Sequence, residues 1–223
     1  MDSQWKRSRR MRVVFDYVSK SFGARTVLQE FSQVFESGTS YVLLGPSGSG
    51  KSTILGLLSA AISPDRGKVT IEDSPSDLWP SDFAWVLQTT TALTRRTVLD
   101  NVMLGPASRG IAEEEAQRHA VHAVDQLGLD WALKNRVGSL SGGEKQRVSV
   151  ARVLASKAPI ILADEPTASL DKDSRDKVVQ GLLDSVGRDR LLVIATHDPT
   201  VAQACDVQIR LFEDRILMSS ESK

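Results

Sequence analysis

The chain has 223 residues, 41% hydrophobic and 25% charged, with 28 Lys and Arg balanced by 28 Asp and Glu. That length suits one domain with a grafted subdomain, and a net charge of zero leaves no global field for nucleic acid, which is not expected as a partner. A lone cysteine, Cys205, excludes an internal disulfide, no Cys/His cluster has zinc spacing, and no apolar run approaches the about 18 residues of a membrane span.

Residues 1–10 carry Lys6, Arg7, Arg9 and Arg10 without the apolar stretch of a signal peptide. With Arg12 they read as a solvated basic tail, contact with an anionic membrane face being the sharper alternative. Strands are predicted at Met11–Val18, Thr26–Phe35 and Ser40–Leu44, the first two joined by a connection over Val18–Gly23. A glycine-rich turn then leads into a helix running to about Ala61. Pro64–Gly67 reads as a turn, Lys68–Glu72 as a strand, Asp73–Asp82 as a loop and Phe83–Leu87 as a strand. From Gln88 the pattern becomes helical, at Val98–Leu104 and at Glu113–Leu127, the latter with an apolar stripe at 116, 120, 121, 124 and 127. Beyond Pro159 strand and helix alternate again: Ile160–Ala163, a helix over Lys172–Val186, Leu191–Ala195, a short helix at Val201–Ala204, and a closing hairpin of Val207–Leu211 with Arg215–Met218. Repeated strand–helix–strand units imply a parallel sheet covered on both faces.

The chemistry starts at Gly45-Pro46-Ser47-Gly48-Ser49-Gly50-Lys51-Ser52-Thr53, between an apolar strand and an apolar-periodic helix. The glycines let backbone amides face an anion at a helix start, Lys51 supplies a cation for the outer phosphates, and Ser52 a hydroxyl for Mg²⁺. Asp164 and Glu165 end the buried strand at 160–163, where side chains of an open α/β sheet enter the ligand crevice. Asp164 suits Mg²⁺ and Glu165 a general base toward the attacking water. A second glycine-flanked helix start follows Leu140: Ser141 as N-cap, Gly142-Gly143 leaving the end uncovered, then Glu144. One nucleotide per chain cannot fill two phosphate-receiving helix ends, which points to two copies completing each other's sites.

Together these motifs make the chain resemble an ATP-binding cassette (ABC) ATPase, the nucleotide-binding domain of an ABC transporter. The likeness runs from about Met11 to Met218, with the phosphate loop, Gln88, Leu140–Glu144, Ile161–Glu165, Ser169-Leu170-Asp171 and His197 in the family's order. It implies an α/β P-loop NTPase (RecA-like) core at 11–88 and 158–223 with an antiparallel β subdomain, and an inserted α-helical subdomain at 89–157. It also implies ATP and Mg²⁺ as ligands. By the same resemblance Phe22 stacks on adenine in place of the commoner Tyr, and Val27 flanks the sugar. Gln88 reaches Mg²⁺ and the attacking water, Ser141–Glu144 bind the nucleotide of a second copy, Asp171 crosses the dimer interface, and His197 contacts the γ-phosphate. His119 and His122 are read as structural or solvated.

Asn135–Ser139 lacks the proline of many relatives, which predicts a looser loop. The resemblance is strongest to the lipoprotein-release, macrolide-efflux and antimicrobial-peptide-export group. It implies a homodimer on the cytoplasmic side of the membrane, driving a separate multi-span permease. An importer ATPase, or a non-transport member in cell division or assembly, remains the alternative.

Overall fold

The computed structural model describes residues 10–74, 82–89, 91–168, 170–211 and 216–219, the last four by their backbone. The basic residues 6–9, most of the loop expected at 73–82, Ser169, and the hairpin's Arg215 lie outside the described residues. The chain divides into two compact units, Met1–Pro80 with Val186–Lys223, and Ser81–Ser185.

In the first unit, β1 (Arg12–Phe22), β2 (Arg25–Glu36) and β4 (Arg66–Glu72) form an antiparallel sheet in the order β2-β1-β4. Phe15 packs edge-on against Phe31 and Phe35, with centroids 5.5 and 5.6 Å apart, and Phe35 against Tyr41 at 5.0 Å. β1 runs on to Phe22 where the sequence predicts a connection from Val18, so the turn shrinks to Gly23 and Ala24. The cause is a pair of register shifts: Tyr17 takes φ 48° within the one between Phe15 and Val18, and Glu30 of β2 takes φ 48° within the next, between Val18 and Lys20. Each irregularity moves the buried positions by one, from Val13 and Phe15 to Val18 and from Phe35 and Phe31 to Leu28. Gly67 accepts this bulge: a Cβ there would collide with the carbonyl oxygens of Asp16 and Tyr17.

The same unit holds a parallel ladder. β3 (Ser40–Leu44) lies between β7 (Leu191–Thr196) and β8 (Val207–Leu211), parallel to both, and β9 (Ile216–Ser219) pairs antiparallel with β8. β7 is buried at all six positions, hence its apolar run Leu191–Ala195 before Thr196. Helix α1 (Lys51–Leu58) stops short of the expected Ala61, because Ala60 turns to φ 55° and Ile62 bonds back to the carbonyl of Gly56.

The second unit contains the parallel pair β5 (Phe83–Val86) and β6 (Ile160–Asp164), with helices α2 (Val98–Ala107), α3 (Glu113–Gln126), α4 (Gly142–Ala155) and α5 (Lys172–Asp184). In α3 the buried stripe is Ala116, Ala120, Ala123 and Val124, continued by Leu127; Val121 is 40% exposed, one position off the face expected of it. The segment expected to be loose is instead pinned. Val137 and Gly138 donate to the carbonyls of Arg96 and Thr94, Val98 donates to that of Asn135, and Thr97 bridges Arg136. Backbone bonds do there what a proline would do by restricting φ.

Candidate functional site

Where β3 ends, the chain must turn sharply into α1, and three glycines make that possible. Gly48 and Gly50 take φ 81° and 98°, a region that costs a side chain about 1–2 kcal/mol. A Cβ on Gly50 would also sit 3.2 Å from Val27 Cγ1, and one on Gly45 would strike the carbonyl oxygen of Leu211. Gly50 is the N-cap of α1 and brings no side chain to it, so no cap side chain covers the helix start. Lys51 is 8% exposed and folds over the loop, donating from Nζ to the carbonyls of Gly45 (2.7 Å) and Pro46 (3.0 Å). Pro46, Ser47 and Ser52 are exposed, Thr53 is half-buried, and the Ser49 hydroxyl is buried without a hydrogen-bond partner. The result is a cationic cradle lined by backbone N–H groups, which is what a polyphosphate requires.

Phe22, at the end of β1, is 52% exposed with the Lys20 ammonium 5.5 Å from its ring centre, so a flat apolar face is available for stacking. Val27 is half-buried against Gly50, directly behind the loop. His197 is exposed and follows Thr196, which pairs with Leu44 in the β3–β7 ladder. The loop and His197 therefore leave the sheet from adjacent strands at the same end.

The second unit repeats this arrangement. Val86 pairs with Ala163, so Gln88 and the Asp164-Glu165 pair emerge from neighbouring strand ends. Gln88 is exposed, and both carboxylates are half-buried. Glu165 takes φ 47° and precedes Pro166, two restrictions on one residue. Backbone strain of about 1–3 kcal/mol persists only where surrounding contacts hold it, and such residues concentrate at functional sites.

At the start of α4, the Ser141 hydroxyl accepts from the amide of Glu144 (3.3 Å), and the Glu144 carboxylate accepts from the amide of Ser141 (2.7 Å). That amide holds the Glu144 carboxyl below its ordinary range. Glu144 thus serves the cap, while nothing lies within 4 Å of where a Cβ on Gly142 would stand. A Cβ on Gly143 would meet only Leu170, at 3.4 Å. Asp171 caps α5 by accepting from the amide of Ser174 (2.9 Å), a bond that lowers its pKa.

Mg²⁺ prefers oxygen ligands and usually takes one or two from protein, the rest from phosphate and water. The hydroxyl, amide and carboxylate oxygens of Ser52, Gln88 and Asp164 are of that kind. Among the described residues no group of three or more His, Cys, Asp or Glu could hold a metal ion.

Sequence reading missed two residues that shape these parts. Arg25, at the start of β2, donates from Nη2 to the Gly48 carbonyl (3.0 Å) and braces the phosphate loop from the antiparallel sheet. Gln146, on α4, is 3% exposed and donates to the carbonyls of Leu87 and Pro166. Neither belongs to a pattern; the nearest signal was a glutamine on the buried face of a helix.

The family model for ABC transporters matches residues 28–168. The lipoprotein-releasing system ATP-binding protein LolD of Bacteroides fragilis is 34% identical over 90% of this chain and 97% of its own length. The macrolide export ATP-binding/permease protein MacB of Bartonella henselae is 34% identical over 89% of this chain, which spans 31% of that longer protein. Among solved structures, a dimeric bacterial ABC transporter cassette superposes with a TM-score of 0.75 at 29% identity, covering 89% of this chain and 94% of the cassette. The same cassette in a dimeric post-hydrolysis state, bound to ADP and Pi, gives 0.77 at 29% identity, covering 92% of this chain and 98% of its own.

Proposed function

Because the chain belongs to the ABC transporter family and is an ATPase, we propose that it pairs head-to-tail with a second copy and uses ATP to drive a separate multi-span permease. The direction is export, the reading favoured by likeness to LolD and MacB, which are named for lipoprotein release and macrolide export. No described helix is long and apolar enough to cross a membrane, so the chain's membrane attachment, on the cytoplasmic face, is assigned to that permease.

Phe22 stacks on adenine and Val27 flanks the sugar. The amides from Gly48 to Thr53 surround the phosphates, and Lys51 neutralises the outer ones. Ser52, Asp164 and Gln88 hold Mg²⁺, which when bound neutralises charge developing on the phosphate oxygens. Glu165 accepts the proton of the attacking water, Gln88 orients that water, and His197 contacts the γ-phosphate. Ser141, Gly142 and Gly143 of one copy receive the γ-phosphate held by the other.

The observation that carries this reading is the start of α4. Its cap is complete from within, and yet the glycine face of its first turn opens on nothing within 4 Å at Gly142. An anion brought by a second copy is the occupant such an end suits. The test is Glu165→Gln, measured by phosphate release and by size-exclusion chromatography with ATP. Turnover is expected to fall by about 10²–10⁴-fold, with ATP still bound and the dimer trapped. Hydrolysis at the parent rate would refute the assignment of Glu165 as base.

A further inference from the structure

Leu87 and Pro166 flank the two residues assigned to the attacking water: Leu87 precedes Gln88, and Pro166 follows Glu165. Their carbonyls converge on one side-chain nitrogen, Gln146 Nε2, at 3.1 and 3.4 Å. Both neighbours are acceptors, which fixes the orientation of the amide, since its oxygen could bond neither. A primary amide is the neutral side-chain group that offers two N–H donors from one atom, so glutamine meets a requirement here that Glu, Met or Leu cannot.

The anchoring matters because of what it holds. Glu165 is at φ 47° with a proline after it, and the turn beyond it closes through Ala168 donating to the Glu165 carbonyl (3.3 Å) and Leu170 to that of Thr167 (3.1 Å). Those bonds are local to the turn. Gln146 ties it to a separate element, α4, one helical turn in from the Ser141–Gly143 start. The same helix grips the stretch beyond Gln88. Arg152 donates from Nε to the Asn101 carbonyl and from Nη2 to Asn101 Oδ1, both at 2.9 Å. Asn101, fully buried, exchanges bonds with the amide (2.7 Å) and carbonyl (3.0 Å) of Leu93.

We propose that Gln146 is a positioning residue for ATP hydrolysis: its amide fixes the backbone carrying Gln88 and Glu165 to α4. Phosphate engagement at the start of α4 is then felt at both water-handling residues. The inference rests on the reading of Glu165 as general base.

The test uses the full chain with Gln146→Met, which keeps length and helix propensity and removes both donors, and Gln146→Asn, which keeps the donors one methylene short. Expected for Gln146→Met is a kcat at least tenfold below the parent, with the KM for ATP changed less than twofold. Gln146→Asn should fall between Met and parent. Adding Gln146→Met to Glu165→Gln should lower the residual single-turnover rate by less than the product of the two separate defects, because the part acting through Glu165 has nothing left to position and only the part acting through Gln88 remains. A generally loosened structure would instead raise KM and lower the double variant further. Parent-like kcat in Gln146→Met, or full multiplication of the two defects, overturns the proposal. Should the Met variant not fold, the Asn variant decides by the same kcat-against-KM split. Parent-rate hydrolysis by Glu165→Gln would sink the base assignment itself. A dead Glu165→Gln beside a fully active Gln146→Met would sink the Gln146 role alone.

Discussion

The chain has two glycine-flanked helix starts of opposite construction. At α1 the N-cap is Gly50 in a left-handed conformation, no side chain caps the helix, and the loop is crowded by Val27, Leu28 and Arg25. At α4 a reciprocal Ser141–Glu144 capping box closes the end, and Gly142 has open space beside it. A crowded start with no side-chain cap has its backbone fixed by its own fold and no cap side chain across its end, a construction that suits phosphate. A capped, open start is stable without ligand and presents a surface. On the proposed function, the first would hold a nucleotide and the second would meet one held by another copy.

Substituting the glycines separates the two cases. The largest contrast is expected from Gly142→Glu, which puts a carboxylate where an incoming phosphate would sit. Phosphate release should fall by about 10²-fold or more, while ATP binding by the isolated chain and its melting temperature stay near the parent's. Gly50→Ala should act in the opposite place: the left-handed φ and the 3.2 Å approach to Val27 cost about 1–3 kcal/mol, lowering both the melting temperature and the affinity for ATP. If Gly50→Ala spared binding, the crowded cradle would not be the nucleotide's seat.

A smaller difference is expected in acid. The Glu144 and Asp171 carboxyls are held below their ordinary range by the amides of Ser141 and Ser174. A depressed folded-state pKa gives stability that is present above the unfolded value and lost as pH falls through the folded one. Hydrogen-exchange protection of the Ser141 and Ser174 amides, at the starts of α4 and α5, should therefore decline as pH drops from about 5 toward 3. The start of α1, with no acidic residue in its first turn, should lose none by this route. Equal loss at all three would mean the carboxylates do not set the difference.

How much of this was legible in the sequence depended on whether the determinant was local. The strand, glycine-rich turn and helix around 45–53, the apolar strand β7 and the N-cap Ser141 follow from short-range chemistry and lie as expected, whereas the place of Glu144 in the cap was not anticipated. β1 was cut short because its alternation slips at Tyr17, and a bulge is visible only in the pairing with β2. The 135–139 segment gave no sign of being pinned, since its partners at Thr94, Arg96 and Val98 lie some forty positions back. Arg25 and Gln146 escaped for the same reason: each bonds a backbone carbonyl that the sequence does not place beside it. In α3 the buried face was misjudged by one position because alanines, not the larger Val121, line the packed side.

The central claim, that the two helix starts serve one site only when supplied by different copies, has a direct measurement. Lys51→Ala and Gly142→Glu chains are each expected to be inactive alone. Mixed in equal amounts with ATP, half of each heterodimer combines an intact Lys51 with an intact Gly142. The account predicts phosphate release well above that of either variant by itself. A mixture no faster than its components would contradict it, and would return both helix starts to a single chain.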